Sequence, residues 1–112
     1  MADYSFGLGE ANTSLNAKGS SGAGDTFGIV PFGGFPLPRV FGWDVVVTGS
    51  PSSLRVDIEG SLDGTTWFQL DTYTTAASTL RFIVDKPVRY IRANLVTLGG
   101  GSSPTATTRI VA

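Results

Sequence analysis

The chain has 112 residues, of which 15% are charged, with a formal net charge of −1 and neither histidine nor cysteine. That composition excludes a Ser-His-Asp relay, a cysteine nucleophile, thiolate or imidazole zinc sites, iron–sulfur clusters and ordinary haem ligation. One domain around a single core is expected at this length, and near-neutral charge gives no long-range attraction to nucleic acid or an anionic membrane.

The opening residues, Met1-Ala2-Asp3-Tyr4-Ser5, do not run from a basic stretch into an apolar one. No apolar run approaches the roughly 20 residues of a membrane helix, so a soluble protein without a secretion signal is expected. Residues 1–38 are rich in Gly, Ser, Asn and Pro, with isolated apolar residues such as Phe6, Leu8, Leu15, Phe27, Ile29 and Val30. This texture reads as an extended arm. Its segment 19–24 (GSSGAG) has too little apolar surface to offset the entropy of ordering it. Residues 26–30 are able to pair as a strand. Pro31, Pro36 and Pro38, with Gly33-Gly34 among them, then bar both a helix and a central strand. Phe27, Phe32, Phe35, Leu37 and Arg39 are the arm residues expected to contact a partner subunit. Phe32 and Phe35 have the alternative of capping the chain's own core.

From Arg39 onward, short β-branched and aromatic runs alternate with turn signals about every ten residues, as in a sandwich or barrel. Strands are expected near 41–48, 53–61, 66–72, 79–85, 88–97 and 105–111. In the second, Leu54, Val56 and Ile58 share one face, and Arg55, Asp57 and Glu59 the other. Asp63-Gly64 marks a hairpin after it. In the third, Phe68 and Leu70 point inward with Trp67 at an edge, or the reverse if a bulge intervenes. In the fourth, Leu80, Phe82 and Val84 alternate with Arg81, Ile83 and Asp85. In the fifth, Arg89, Ile91, Ala93 and Leu95 share one face, and Val88, Tyr90, Arg92 and Asn94 the other. Residues 99–104 form a loose tip. No segment has helical periodicity, so the fold class is all-β: a single jelly-roll-like β-sandwich over residues 39–112 with an extended Gly/Pro-rich arm over 1–38.

Chemistry-bearing side chains are few. Asp57 and Glu59, two apart on one strand face, have the spacing of a glycosidase carboxylate pair, but they alternate with core positions beside Arg55 and read as a solvated face. Asp25, Asp44, Asp63 and Asp71 lie near loops or strand ends where a calcium ion binds, without the dense spacing of a calcium loop. Lys86, Arg89 and Arg92 around Tyr90 make a weak nucleic-acid footprint in a net-acidic chain. Trp67, Tyr73 and Tyr90 offer aromatic faces for a glycan, or fill the ends of the core. No catalytic residue, metal or cofactor is expected.

Ser61, Asp63, Gly64 and Trp67 spell S-x-D-G-x-x-W, and Arg89 to Arg92 spell R-Y-I-R. On these motifs the stretch from about Asp44 onward resembles discoidin-like jelly rolls. It also resembles, more closely in length and in its GSPSS and KPVRYIRA wording, the small β-sandwich structural proteins of tailed-bacteriophage virions. The second resemblance implies a non-enzymatic capsid decoration (cement) protein. Such a protein would be made in the bacterial host cytoplasm, form a homotrimer, and bind the major capsid protein at the virion surface, with no nucleic-acid or membrane partner. A tail or fibre subunit is the alternative within that class. A carbohydrate-binding module acting through Trp67, Tyr73 or Tyr90 is the alternative outside it.

Overall fold

A computed structural model describes residues 3–29 and 37–112 as an all-β sandwich. Its strands are β1 (Asp3–Ser5), β2 (Asn12–Lys18), β3 (Gly22–Ala23), β4 (Thr26–Gly28), β5 (Val40–Thr48), β6 (Ser53–Ser61), β7 (Phe68–Tyr73), β8 (Thr79–Val84), β9 (Tyr90–Gly99) and β10 (Thr105–Val111). One sheet has the order β1-β4-β9-β6-β7 with β3 also on β9, and the other is β2-β10-β5-β8. Leaving aside β1 and the two-residue β3, eight strands divide four and four between sheets joined by long crossings, which is the jelly-roll arrangement of two Greek keys.

The six strands expected from residue 39 onward all form, with ends shifted by no more than two residues. Alternation explains their faces. Phe41, Trp43 and Val45 of β5, Val56 and Ile58 of β6, and Ile91, Ala93 and Leu95 of β9 fill the space between the sheets.

The arm reading of residues 1–38 fails over 3–29. Strand β2 pairs antiparallel with β10, β4 with β9, and β1 runs parallel to β4. Phe6, Leu15, Phe27 and Ile29 are all buried in the common core. The Phe6 ring meets Phe27 at 6.2 Å and Phe41 at 6.0 Å, edge-on to each, so it joins the two sheets at one end. Isolated apolar residues in a Gly-rich stretch cannot form a core themselves. Here each one plugs a gap in a core built by the rest of the chain.

Two polar side chains hold this segment in place. Asn12 donates to the carbonyls of Gly7, Glu10 and Ile110 at 3.1, 2.9 and 3.0 Å, and its amide oxygen accepts from the Gly7 N–H, so the turn between β1 and β2 is tied to the C-terminal strand. The Ser14 hydroxyl accepts from the Ala93 N–H (2.9 Å) and donates to the Asp25 carbonyl (2.8 Å), stitching one sheet to the other along one margin. Gly24 is required at that stitch, because a Cβ there would lie 2.1 Å from the Ser14 carbonyl oxygen.

Register between β10 and β2 shifts on both sides of Thr108, and the Thr108 hydroxyl is, among the described residues, the one buried side-chain polar group lacking a hydrogen-bond partner. Valine has nearly the same shape without that hydroxyl. Thr108→Val is expected to stabilise the fold by about 1 kcal/mol in chemical denaturation, since an unmet polar group leaves the interior at no packing cost. A loss of stability would show that the hydroxyl is served by solvent.

Candidate functional site

The two sequence motifs meet at one corner. Ser61, at the end of β6, stands opposite Tyr90 at the start of β9, and the Arg89 N–H donates to the Ser61 carbonyl at 3.1 Å. The turn that follows is organised by Asp63. Its carboxylate accepts from the N–H groups of Thr65 (2.9 Å) and Thr66 (2.8 Å) and from the Ser61 hydroxyl (3.0 Å). The Ser61 oxygen in turn accepts from the Gly64 N–H at 2.9 Å. The N–H donors of Thr66 and Thr65, with the Ser61 hydroxyl, hold the Asp63 carboxyl far below the usual carboxylate range. Gly64 has φ +80°, a left-handed backbone that favours glycine, and the Tyr90 ring lies at ordinary contact distance, 3.6 Å, from where its Cβ would be. The loop is six residues long rather than a two-residue hairpin, because Asp63 folds it inward as a side-chain-closed turn.

On the same sheet, the Arg92 guanidinium lies 4.1 Å over the Trp67 ring while its Nε donates to Glu59 at 2.8 Å. Asn94 adds a donor to Glu59 at 3.3 Å. Next along β6, Asp57 takes both Arg55 nitrogens at 3.1 Å and the Thr72 hydroxyl. Asp57 and Glu59 therefore form two adjoining ion-pair clusters on the outer face of this sheet, each carboxylate saturated by its own arginine.

The expected glycan residues are not brought together. Trp67 is the last residue of the turn 62–67, its ring covered by Arg92, and Tyr90 lies beside Gly64 of the same turn. Tyr73 lies at the other end of β7, its hydroxyl donating to the Ala77 carbonyl at 2.8 Å. The expected partner residues also diverge. Phe27 is buried in the chain's own core, where pairing of β4 with β9 turns it inward, so it is not an arm contact. Leu37 packs against that core half-buried. Arg39 is exposed and ion-paired to Asp85 at 3.1 Å. Phe32 and Phe35 lie outside the described residues. Of the four loop carboxylates considered for calcium, Asp44 is held by Arg109, Asp63 by its turn and Asp71 by Arg81. Among the described residues no three acidic side chains converge on a metal position.

A bulge sets the remaining feature of β7. Register passes from Glu59 opposite Gln69 to Ile58 opposite Asp71, so Leu70 is the extra residue and every side chain after it changes face. Phe68 stays exposed at the rim, Leu70 packs on the core, and Asp71 turns toward the opposite sheet. There the buried Trp43 indole donates to it at 3.0 Å and Arg81 at 3.0 and 3.1 Å. Burial pushes the Asp71 carboxyl up, yet the donors from Arg81, Trp43 and the Thr72 N–H outweigh it and hold it below its ordinary value.

The outer face of the four-stranded sheet has the opposite character. Phe82 of β8, Gly42 of β5 and Val111 of β10 stand in one row across three strands. The Phe82 ring and a Val111 methyl both lie within about 3.5 Å of where a Gly42 Cβ would sit, so both occupy the space a side chain at Gly42 would need. Val40 opposite Val84 makes the row on one side. On the other, Leu80 stands opposite Asp44, which is paired to Arg109 at 2.9 Å. Leu80, Phe82 and Val84 are 61%, 64% and 58% exposed. The alternation in this strand was legible, but its apolar set faces out and Ile83 faces in. This patch is the surface that sequence reasoning missed. A run with three large apolar residues on one face and Arg81, Ile83 and Asp85 on the other was the available signal.

The class defined by this arrangement is a jelly-roll β-sandwich with ion-pair clusters on one outer face and an apolar patch on the other. No family model matches the chain, and no curated protein matches it. Among solved structures, it is similar to the SPBc2 prophage-derived protein YomS, with TM-score 0.56 and 18% identity over 91% of this chain and 90% of that one. The likeness extends along nearly the whole of both chains and concerns the fold.

Proposed function

We propose that this protein is a non-enzymatic structural subunit of a bacteriophage particle, a capsid decoration protein seated on the major capsid protein through the outer face of its four-stranded sheet. The observation that carries the reading is the division between the two outer faces. One is saturated by the Arg55–Asp57 and Arg92–Glu59 pairs, and the other presents Leu80, Phe82, Val84, Val40 and Val111 to solvent. A contiguous apolar patch of this kind marks an interaction surface. The kind of assembly is supported by the resemblance of the sequence to small virion proteins and by the likeness in fold to a prophage-derived protein. Repetition over a lattice lets a modest contact per subunit sum to a stable shell.

The test is to purify particles of the encoding phage, identify this chain in them and locate it by electron microscopy. Density on the capsid shell is expected, and Val40→Asp, a surface change on β5 within the same patch, should leave the domain folded but missing from the shell. Density confined to the tail would move the protein to a tail or fibre position. Its absence from purified particles would overturn the reading.

A further inference from the structure

Among the described residues strand β8 is the free edge of the four-stranded sheet, and the way its backbone is presented carries an inference independent of any phage role. The Asp85 N–H donates to the Arg39 carbonyl at 2.6 Å, and from there the register runs without a break through Val84 opposite Val40 to Thr79 opposite Val45. In an antiparallel pair, hydrogen-bonded positions alternate. Ile83, Arg81 and Thr79 therefore spend their backbone groups on β5, and the N–H and C=O groups of Leu80, Phe82 and Val84 point off the sheet.

The other sheet edges are each blunted. Strand β2 pairs through two register shifts and has Ala17 at φ 45°, β7 contains the bulge at Leu70, and β1 is three residues long. In β8 there is no bulge, proline or lysine, and its three outward-facing positions are apolar. Natural edges are usually protected by one of those devices.

We propose that two copies of this chain dimerise by antiparallel pairing of β8 with β8 about a two-fold axis at Phe82. In that register Phe82 faces Phe82 of the second copy as a hydrogen-bonded pair, and Leu80 faces Val84 on either side, each pair exchanging reciprocal backbone bonds. The strand is its own complement: Arg81 meets Ile83, Asp85 meets Thr79 and Lys86 meets Ser78, so no like charges oppose. The contact is isologous and closes at two copies. A ring of three would need β8 to pair with a different edge, and those edges are bulged or short. Edge-to-edge pairing leaves the outer face of both sheets uncovered, so this contact and the capsid contact are separable.

The measurement is the mass of the purified full chain by sedimentation over a range of concentrations. The expected result is a monomer–dimer equilibrium. The double variant Leu80→Lys/Val84→Lys places like charges opposite each other in both flanking pairs and should be monomeric throughout, with an unchanged thermal midpoint when measured dilute. Leu80→Lys/Val84→Glu sets opposite charges face to face in the same register and should restore the dimer, more so at low salt. A wild-type chain that stays monomeric at its highest soluble concentration, a trimer, or a dimer that survives the double-lysine variant would overturn the proposal. Restoration failing in the lysine–glutamate variant would overturn the register centred on Phe82.

Discussion

A chain beginning at Arg39 should not fold: it is expected to lack near-ultraviolet circular dichroism and a cooperative thermal transition. Deleting residues 1–38 removes Phe6, Leu15, Phe27 and Ile29 from the core together with β2, the outer neighbour of β10, and β4, the neighbour of β9. Truncating one such buried residue costs about 2–5 kcal/mol, and a domain of this size has only about 5–15 kcal/mol in total. Four such losses, with the paired backbone of two strands, exceed what the remaining fold can supply. A folded 39–112 fragment with native-like spectra would restore residues 3–29 to the status of an arm.

The second large effect belongs to Asp71, which joins the sheets at the margin opposite Ser14. Asp71→Ala leaves the buried Trp43 indole N–H without its acceptor and releases Arg81, and is expected to cost about 2–3 kcal/mol in chemical denaturation. Asp71→Asn, able to accept from Trp43 but carrying no charge, should lose about half as much. The pH dependence has a definite sign. The folded-state carboxyl lies below its unfolded value of about 3.9, so its contribution is fully present above that value and is lost as pH falls through the folded one. Wild type should therefore lose an increment of stability below about pH 4 that Asp71→Ala does not show. If both proteins follow the same acid limb, Asp71 is not held by these donors in solution.

Much of this architecture could be read from residues. The six strands after Arg39 were legible because their β-branched runs sit between strong turn signals, and Leu54, Val56 and Ile58 were placed on the inner face correctly. The division at residue 38 was not legible from texture, since Asn12 and Ser14 look like loop residues until their partners on β10 and β9 are known. A strand count held the clue: a jelly roll needs eight, residues 39–112 supply six, and the missing two had to come from the stretch read as an arm. The motif residues Ser61, Asp63, Gly64, Trp67 and Arg92 stand out in the sequence, and their work is to hold a turn and cover an indole. The apolar outer face was harder to find. Alternation says which residues share a side, while only the sheet order says which side is dry.

The pairing of β2 with β10 joins residues 12–18 to 105–111, close to the two ends of the chain. On a ribosome, β2 would wait for β10, which is made about ninety residues later. Leu15 and Phe6 would stay in solvent through most of synthesis, and the interior would close only after the final strand emerged. Such long-range closure places the fold among slow formers and makes the emergence of β10, rather than of any earlier strand, the moment at which the domain is made.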